Sequence, residues 1–191
     1  MKKKNKLTVT SLVAVCLVTI AAPQVFAYSK IGYKLVAGVK DRYYYVGASS
    51  LGSNIDAAVS NWNNIDPLTY FWQDQTDVNF IKSSSNSTTQ LDFYSDYYGN
   101  TGWAGMTYYF DSAGAINSGG YPTKDYTWCQ AKLNLSASHN NSWTTIAGHE
   151  MGHALGLMHY TNSLMDGDIT NGSNLPTGIT LDDIDGIRDI Y

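Results

Sequence analysis

The segment HEMGHALGLMH holds three of the four histidines of the 191-residue chain and its single glutamate. Residues four apart lie on one face of an α-helix, so His149 and His153 can present their imidazoles to one metal ion. Gly156 favours the left-handed conformation that ends a helix, and the turn it permits can carry His159 to the same ion. Three nitrogen ligands and one open position are typical of catalytic zinc, which lowers the pKa of a water to about 7. Glu150 is then placed to act as the general base for that water.

A helix is the element that must position these residues. Its apolar residues fall on one stripe at helical spacing: Trp143, Ala147, Met151, Ala154, Leu155 and Met158. Because successive residues turn by about 100°, His149 and His153 project from nearly the opposite side of that stripe. The pattern therefore predicts one face in a core and the other facing a cleft. Asn140, Asn141 or Ser142 can cap the start of this helix.

The rest of the chain predicts an α+β fold with a mixed, twisted sheet. Alternating apolar residues indicate strands at 31–39, 42–47, 78–82, 90–94, 106–110 and 128–135. A helix at 53–62 precedes the third of these strands, and we expect it to pack behind the metal-binding helix. At the end of the chain, Thr180 and Asp183 have the spacing of a capping box. They predict a structural closing helix whose inward face carries Leu181, Ile184, Ile187 and Ile190.

The start of the chain resembles a secretion signal. A basic segment, Lys2 to Lys6, is followed by an apolar stretch from Leu12 to Ile20, and Ala27 is a suitable cleavage position. We predict a signal peptide at 1–27, a single catalytic domain at 28–191, and a secreted, extracellular protein without a membrane anchor. Cys16 could instead be a lipoprotein cysteine, but apolar residues continue past it.

The charge of the predicted mature chain limits the classes of partner that it can bind. Loss of the four lysines of the signal would leave 8 of the 12 basic residues against 16 acidic ones. This balance argues against nucleic acid or an anionic membrane as the main partner. We expect a monomer that acts on a protein or peptide substrate.

Cys129 would be the one cysteine left after loss of the signal peptide, so no intramolecular disulfide can form. Its strand-like surroundings predict a buried free thiol.

Three segments resemble the metzincin zinc metallopeptidases, and in particular the matrixins. They are the HEMGHALGLMH motif, the methionine Met165 in NSLMDG, and the tail TLDDIDGIRDIY. The resemblance implies zinc held by His149, His153 and His159, with Glu150 as the catalytic residue. It also implies that Met165 forms a supporting turn beneath the metal, and that substrate lies extended along an edge strand.

Some positions depart from the family pattern. Gly167 stands where some metzincin branches have a tyrosine beside the metal, so we assign no fifth ligand. Tyr160 follows the third histidine, where matrixins usually have serine. His139 is the only histidine outside the motif, which predicts a single, catalytic zinc. No segment between the signal and the domain could supply the inhibitory cysteine found in matrixins, and Cys129 does not fit that role.

Calcium is a possible second metal. An extracellular domain without disulfides can use calcium for rigidity, and four aspartates lie in polar surroundings that offer oxygen ligands. These are Asp92, Asp96, Asp111 and Asp125. They match no calcium-binding motif, so we assign no site to them and interpret them as ordinary loop residues.

Two alternative functions are kept. Tyrosine-rich stretches, such as Tyr43 to Tyr45 and Tyr97 to Tyr98, suit stacking on sugars. The chain could therefore bind cell-wall polysaccharide, with a secondary metal site, although tyrosine is also a common strand residue. The other alternative is a zinc hydrolase that cleaves the peptides of peptidoglycan.

Overall fold

The computed structural model describes residues 28–65, 76–117, 120–167 and 175–191. The predicted signal peptide at 1–27 lies outside these residues. Within the described ranges, no helix combines the length and the apolar character that crossing a membrane requires.

A six-stranded mixed sheet forms one layer of the fold. Its strands are β1 (Arg42–Val46), β2 (Phe80–Ser83), β3 (Leu91–Asp96), β4 (Gly105–Asp111), β5 (Gly114–Ala115) and β6 (Trp128–Asn134). Their order across the sheet is β2-β1-β3-β6-β4-β5. The first four strands in that order are parallel, and β4 runs antiparallel to both of its neighbours. The α+β fold class predicted from the sequence is confirmed.

Strand β4 has an edge that is largely open. The two-residue strand β5 pairs only with Phe110 and Asp111, at the end of β4. Along the rest of β4, strand β6 pairs on one side and no described strand pairs on the other. The sequence did not identify this edge, because which strand lies outermost depends on the order of strands rather than on local pattern.

Three helices accompany the sheet: α1 (Gly52–Asn63), α2 (Trp143–Ala154) and α3 (Leu181–Ile190). The predicted apolar face of α1 is buried through Ile55, Ala58, Val59 and Trp62. Helix α2 packs against α1 and against strands β4 and β6. It therefore lies in the middle of the molecule, and α1 is the backing helix that the sequence predicted.

One expectation about local structure needs correction. The segment 31–39 is not a strand: Gly32 and Gly38 have φ of 88° and 72°, and only an isolated bridge joins Leu35 to Tyr126. The apolar residues Leu35 and Val39 are nevertheless buried, so their pattern reported burial rather than strand pairing. Every residue of α2 from Thr145 to Ala154 is buried, and its histidines line a cleft, which is where the sequence placed the face opposite to the core.

Cys129 is a buried free thiol, as predicted. It lies on β6 with no exposed surface, and burial raises the pKa of its thiol well above the usual value. A thiol that stays protonated is a poor nucleophile and a poor metal ligand. Its burial is that of a core-packing residue.

The four aspartates considered for calcium do not lie together. Asp92 and Asp96 are on β3, whereas Asp111 ends β4 and pairs with Lys124. Asp125 lies in a loop and accepts a hydrogen bond from the backbone of Lys34. Three of the four are thus strand residues, and calcium gains no support from the described part of the chain.

Asp92 is a buried carboxyl group outside the metal-binding motif. Asp92 lies opposite Gln130 of β6. Because successive strand residues alternate, its side chain projects from the other face of the sheet than that of Leu91. It is only 3% exposed, and the hydroxyl of Thr89 donates a hydrogen bond to it. Burial raises the pKa of Asp92, although the Thr89 hydrogen bond opposes the rise.

We predict that Asp92→Asn stabilises the fold at neutral pH. Because the folded-state pKa of Asp92 is raised, its contribution to stability is most favourable below the unfolded pKa and is lost as pH rises through the folded pKa. The substitution should therefore increase the free energy of unfolding at pH 7 more than at pH 4. Urea denaturation at the two pH values measures this. The control is Asp77→Asn, because the side chain of Asp77 is 77% exposed. An equal change at both pH values for Asp92→Asn would contradict the prediction.

Candidate metal centre

The three motif histidines converge on one point. Helix α2 carries His149 and His153 one turn apart, and both are buried. The Nε2 atom of His159 lies 3.3 Å from Nε2 of His149 and 3.1 Å from Nε2 of His153. In the described part of the chain, these three form the only group of three or more His, Cys, Asp or Glu side chains close enough together to hold a metal ion.

The turn after α2 brings His159 to the other two. Gly156 has φ of 100°, the left-handed conformation expected at the end of the helix. After the turn, Leu157 pairs with Lys30 in an isolated bridge, and the backbone of Met158 donates to Ser29. The segment that leads to His159 is therefore anchored to the beginning of the described chain. The supporting role of Gly156 stays a prediction, but its conformation is the one required.

Hydrogen bonds fix the tautomers of two histidines. Nδ1 of His149 lies 2.8 Å from the carbonyl oxygen of Leu164, and Nδ1 of His153 lies 2.9 Å from that of Leu157. A carbonyl can only accept, so each Nδ1 carries the proton and donates it. Each Nε2 then keeps its lone pair for a metal. Burial also lowers the pKa of both rings, that of His149 to about 4, so both are neutral at pH 7.

The spacing of the donor atoms fits zinc. A tetrahedral ion with Zn–N bonds of about 2.0–2.1 Å separates its nitrogen ligands by about 3.3 Å. The separations of 3.3 Å and 3.1 Å between Nε2 of His159 and Nε2 of its two neighbours agree with this value. Three neutral imidazole nitrogens are also the donor set of catalytic zinc sites. The residues present therefore suit the zinc that the sequence predicted.

Glu150 lies in the same cleft and is held from β4. It is 2% exposed, and its Oε2 accepts a hydrogen bond of 2.7 Å from the hydroxyl of Thr107. A Cβ on Gly105 would lie only 2.3 Å from Oε1, so the carboxylate rests directly against the backbone of β4. Burial raises the pKa of Glu150 to about 8, and the hydrogen bond from Thr107 opposes the rise.

Met165 forms part of a turn beneath the histidines. Its side chain is buried, and a Cβ on Gly152 would lie 2.2 Å from its sulfur, so the methionine packs directly on α2. The backbone N–H of Tyr160 donates to its carbonyl oxygen. The preceding residue, Leu164, is the one whose carbonyl oxygen orients His149. The supporting role of Met165 stays a prediction, and these contacts are compatible with it.

Helix α3 is connected to this turn. The predicted capping box between Thr180 and Asp183 is present. In addition, Oδ2 of Asp183 accepts a hydrogen bond of 3.1 Å from the backbone N–H of Leu164. The sequence interpreted this helix as purely structural, and the structure adds that its cap holds Leu164, the residue that orients His149.

A cleft of about 360 Å³ opens above the histidines. The motif residues share it with the beginning of β4, Trp103 and Tyr121. Sequence reasoning missed Thr107 and Tyr121, because their contacts with the motif span 43 and 38 residues of chain. The only sequence feature that could have pointed to either residue is that Thr107 interrupts the apolar residues of a predicted strand.

The tyrosine-rich stretches do not form one surface. Tyr44 is buried, and its hydroxyl donates to Asp56. Tyr45 packs edge to face against Tyr94, whereas Tyr97 is 76% exposed. Ordinary strand packing explains Tyr44 and Tyr45, which is the interpretation the sequence favoured.

The fourth histidine lies apart from the centre. Nδ1 of His139 is 2.8 Å from the carbonyl oxygen of Asn141, and its ring packs against Trp143 at the start of α2. Of the three candidate capping residues, Ser142 is the cap of α2, because its side chain accepts a hydrogen bond from the backbone N–H of Thr145.

We predict that Gly167→Ala weakens zinc binding by about 10- to 100-fold, the usual cost of disturbing the surroundings of a ligand. A Cβ at this position would lie 2.7 Å from Nδ1 of His159, so the ring must move. Competition with a chelator measures the dissociation constant. Gly178→Ala is the control, because a Cβ there meets no atom within 4 Å. Equal zinc affinity in both variants would contradict the prediction.

This chain matches one family of known proteins. A solved structure described as the GM1 bound form of the ECX AB5 holotoxin is similar over 85% of this chain and 86% of that chain, with 14% identity and a TM-score of 0.47. A comparison with curated proteins gives no match. The family model described as Matrixin, a peptidase family, matches residues 27–191. The chain therefore belongs to the matrixin family, which consists of zinc-dependent metallopeptidases.

Proposed function

We propose that this protein is a secreted endopeptidase in which His149, His153 and His159 hold one zinc ion and Glu150 is the general base. The observation that carries the proposal is the convergence of three neutral imidazole nitrogens beside a buried carboxylate in one cleft. Three protein ligands leave a position for water or substrate, whereas structural zinc sites usually have four.

A zinc ion bound there would supply Lewis acidity, which polarises a peptide carbonyl and acidifies a water. Glu150 takes the proton of the attacking water and then transfers it to the leaving amine. Thr107 holds Oε2 of Glu150, and Gly105 lets the carboxylate approach β4 closely, so its position is set before substrate arrives. Burial raises the pKa of Glu150 to about 8, and a basic carboxylate with a pKa near the working pH is the better proton acceptor.

The open edge of β4 is the surface that we propose for the substrate backbone. The carbonyls of Ala104 and Phe110 accept hydrogen bonds from the β6 side, from Asn134 and Thr127. Because antiparallel pairing alternates, the backbone groups of Gly105 and Thr107 point away from β6. No described strand pairs with them on that side of β4. An extended peptide can pair with them and place its scissile bond in the cleft.

Secretion and the substrate class belong to the same proposal. The basic and apolar segments at the start of the chain support export of a domain that begins near Tyr28. An open strand edge recognises the peptide backbone rather than a particular side chain, and this supports protein substrates. Cleavage of peptidoglycan peptides and binding of polysaccharide stay alternatives. Profiling of cleavage sites in a protein mixture, with and without a chelator, separates them from proteolysis.

We predict that Glu150→Gln lowers casein hydrolysis by about 100- to 10,000-fold, the usual contribution of a general base. Zinc content should stay near one ion per chain, because the substitution removes only the basicity of the side chain. His159→Ala should instead lower the zinc content. His139→Ala, at the histidine outside the centre, is the control and should retain both. Casein hydrolysis by Glu150→Gln at the wild-type rate would refute the proposed role.

We predict that Thr107→Val lowers kcat by about 10- to 100-fold, as the loss of an orienting hydrogen bond commonly does. Valine has nearly the same shape as threonine but cannot donate to Glu150. Thr107→Ser retains the hydroxyl and should recover most of the activity. Steady-state kinetics on a fluorogenic peptide measure both variants. Equal losses in the valine and serine variants would show that packing, not the hydrogen bond, matters.

A further inference from the structure

Tyr121 lies over the metal-binding centre without belonging to the motif. It lies between β5 and β6, and its half-buried ring lines the cleft with Glu150 and His159. The ring centre is 5.8 Å from that of His153 and 6.2 Å from that of His159, in edge-to-face contacts. Two ligands therefore hold the ring in place.

The O–H of Tyr121 donates no hydrogen bond to any described residue. Its oxygen accepts a hydrogen bond of 3.3 Å from the backbone N–H of His159. A phenol can accept and donate at the same time. No acceptor for its own O–H is present among the described residues. The bond from His159 thus fixes the oxygen and leaves the proton available to a molecule in the cleft.

The other two hydroxyls that line the cleft are already engaged. Thr107 donates to Glu150, and Tyr109 donates to the carbonyl oxygen of His153 at 3.2 Å. Both of these residues are buried, whereas Tyr121 is half-exposed. Of the hydroxyls in this part of the described chain, Tyr121 is the one that can donate to substrate.

The geometry points to Tyr121 as a further catalytic residue, one that donates a hydrogen bond to the carbonyl oxygen of the scissile peptide. This inference rests on the proposed peptidase function. As water adds to the carbonyl carbon, negative charge develops on the oxygen, and a fixed donor stabilises that charge more than it stabilises the ground state. The proton stays on Tyr121 throughout, and Glu150 carries out the proton transfers.

Tyr121→Phe tests the inference, because it removes one oxygen atom and keeps the ring. We expect kcat to fall about 100-fold, the usual cost of losing one such donor, with KM within about twofold of wild type. Affinity for a phosphinic peptide, a tetrahedral analogue of the reacting amide, should fall in parallel with kcat/KM. Tyr97→Phe loses the same atom at an exposed position and should behave as wild type.

A structural role would give a different result. If Tyr121 only supports the backbone of His159, the phenylalanine variant should lose zinc affinity, measured by competition with a chelator, and its analogue affinity at saturating zinc should match wild type. That result, or an unchanged kcat, would overturn the inference. If wild type itself cleaves no peptide, the proposed function fails instead. Calorimetric binding of the phosphinic peptide does not depend on turnover and would still report the contribution of the Tyr121 hydroxyl.

Discussion

The peptide group of Leu164 joins the metal centre to the rest of the fold. Its carbonyl oxygen accepts the Nδ1 proton of His149, and its N–H donates to Asp183. The carboxylate of Asp183 is itself fixed by the backbone N–H and the hydroxyl of Thr180, at 2.8 Å and 2.7 Å. A continuous chain of hydrogen bonds therefore runs from the cap of α3 to the imidazole of His149, one of the three proposed zinc ligands. Each bond contributes about 1 kcal/mol net, but an unpaired buried group costs about 1–3 kcal/mol, so the connection is expensive to break.

The burial of α2 on all sides has a related cause. A buried helix end leaves carbonyl groups that need donors. In the last turn of α2, the hydroxyls of Tyr109 and Tyr126 donate to the carbonyl oxygens of His153 and Ala154. Within the helix, the indole N–H of Trp62 donates to the carbonyl oxygen of Gly148. The large aromatic residues thus fill the core and also satisfy the helix. As a result, the positions of His149 and His153 on α2 are set by contacts with the sheet and with α1.

The sequence predicted the parts of the site that depend on local spacing. The helical separation of His149 and His153, the left-handed Gly156 and the cap at Thr180 are all local, and the structure contains each of them. The contacts of Thr107 and Tyr121 depend on strand order and on the path of a loop, which no local pattern encodes. The incorrect strand at 31–39 has the same explanation. Its apolar residues are buried by distant elements, and alternation alone does not distinguish that from pairing.

Close packing gives this centre its rigidity without a disulfide. Three glycines allow backbone to touch the residues of the site: Gly105 against Glu150, Gly152 against Met165 and Gly167 against His159. At each of them a Cβ would lie within 3 Å of the facing side chain, closer than real Cβ contacts. A carboxylate, a thioether and an imidazole are therefore each confined by backbone, which has far less freedom than a side chain. These glycines carry no chemistry, yet they set the geometry in which the chemistry of their neighbours occurs.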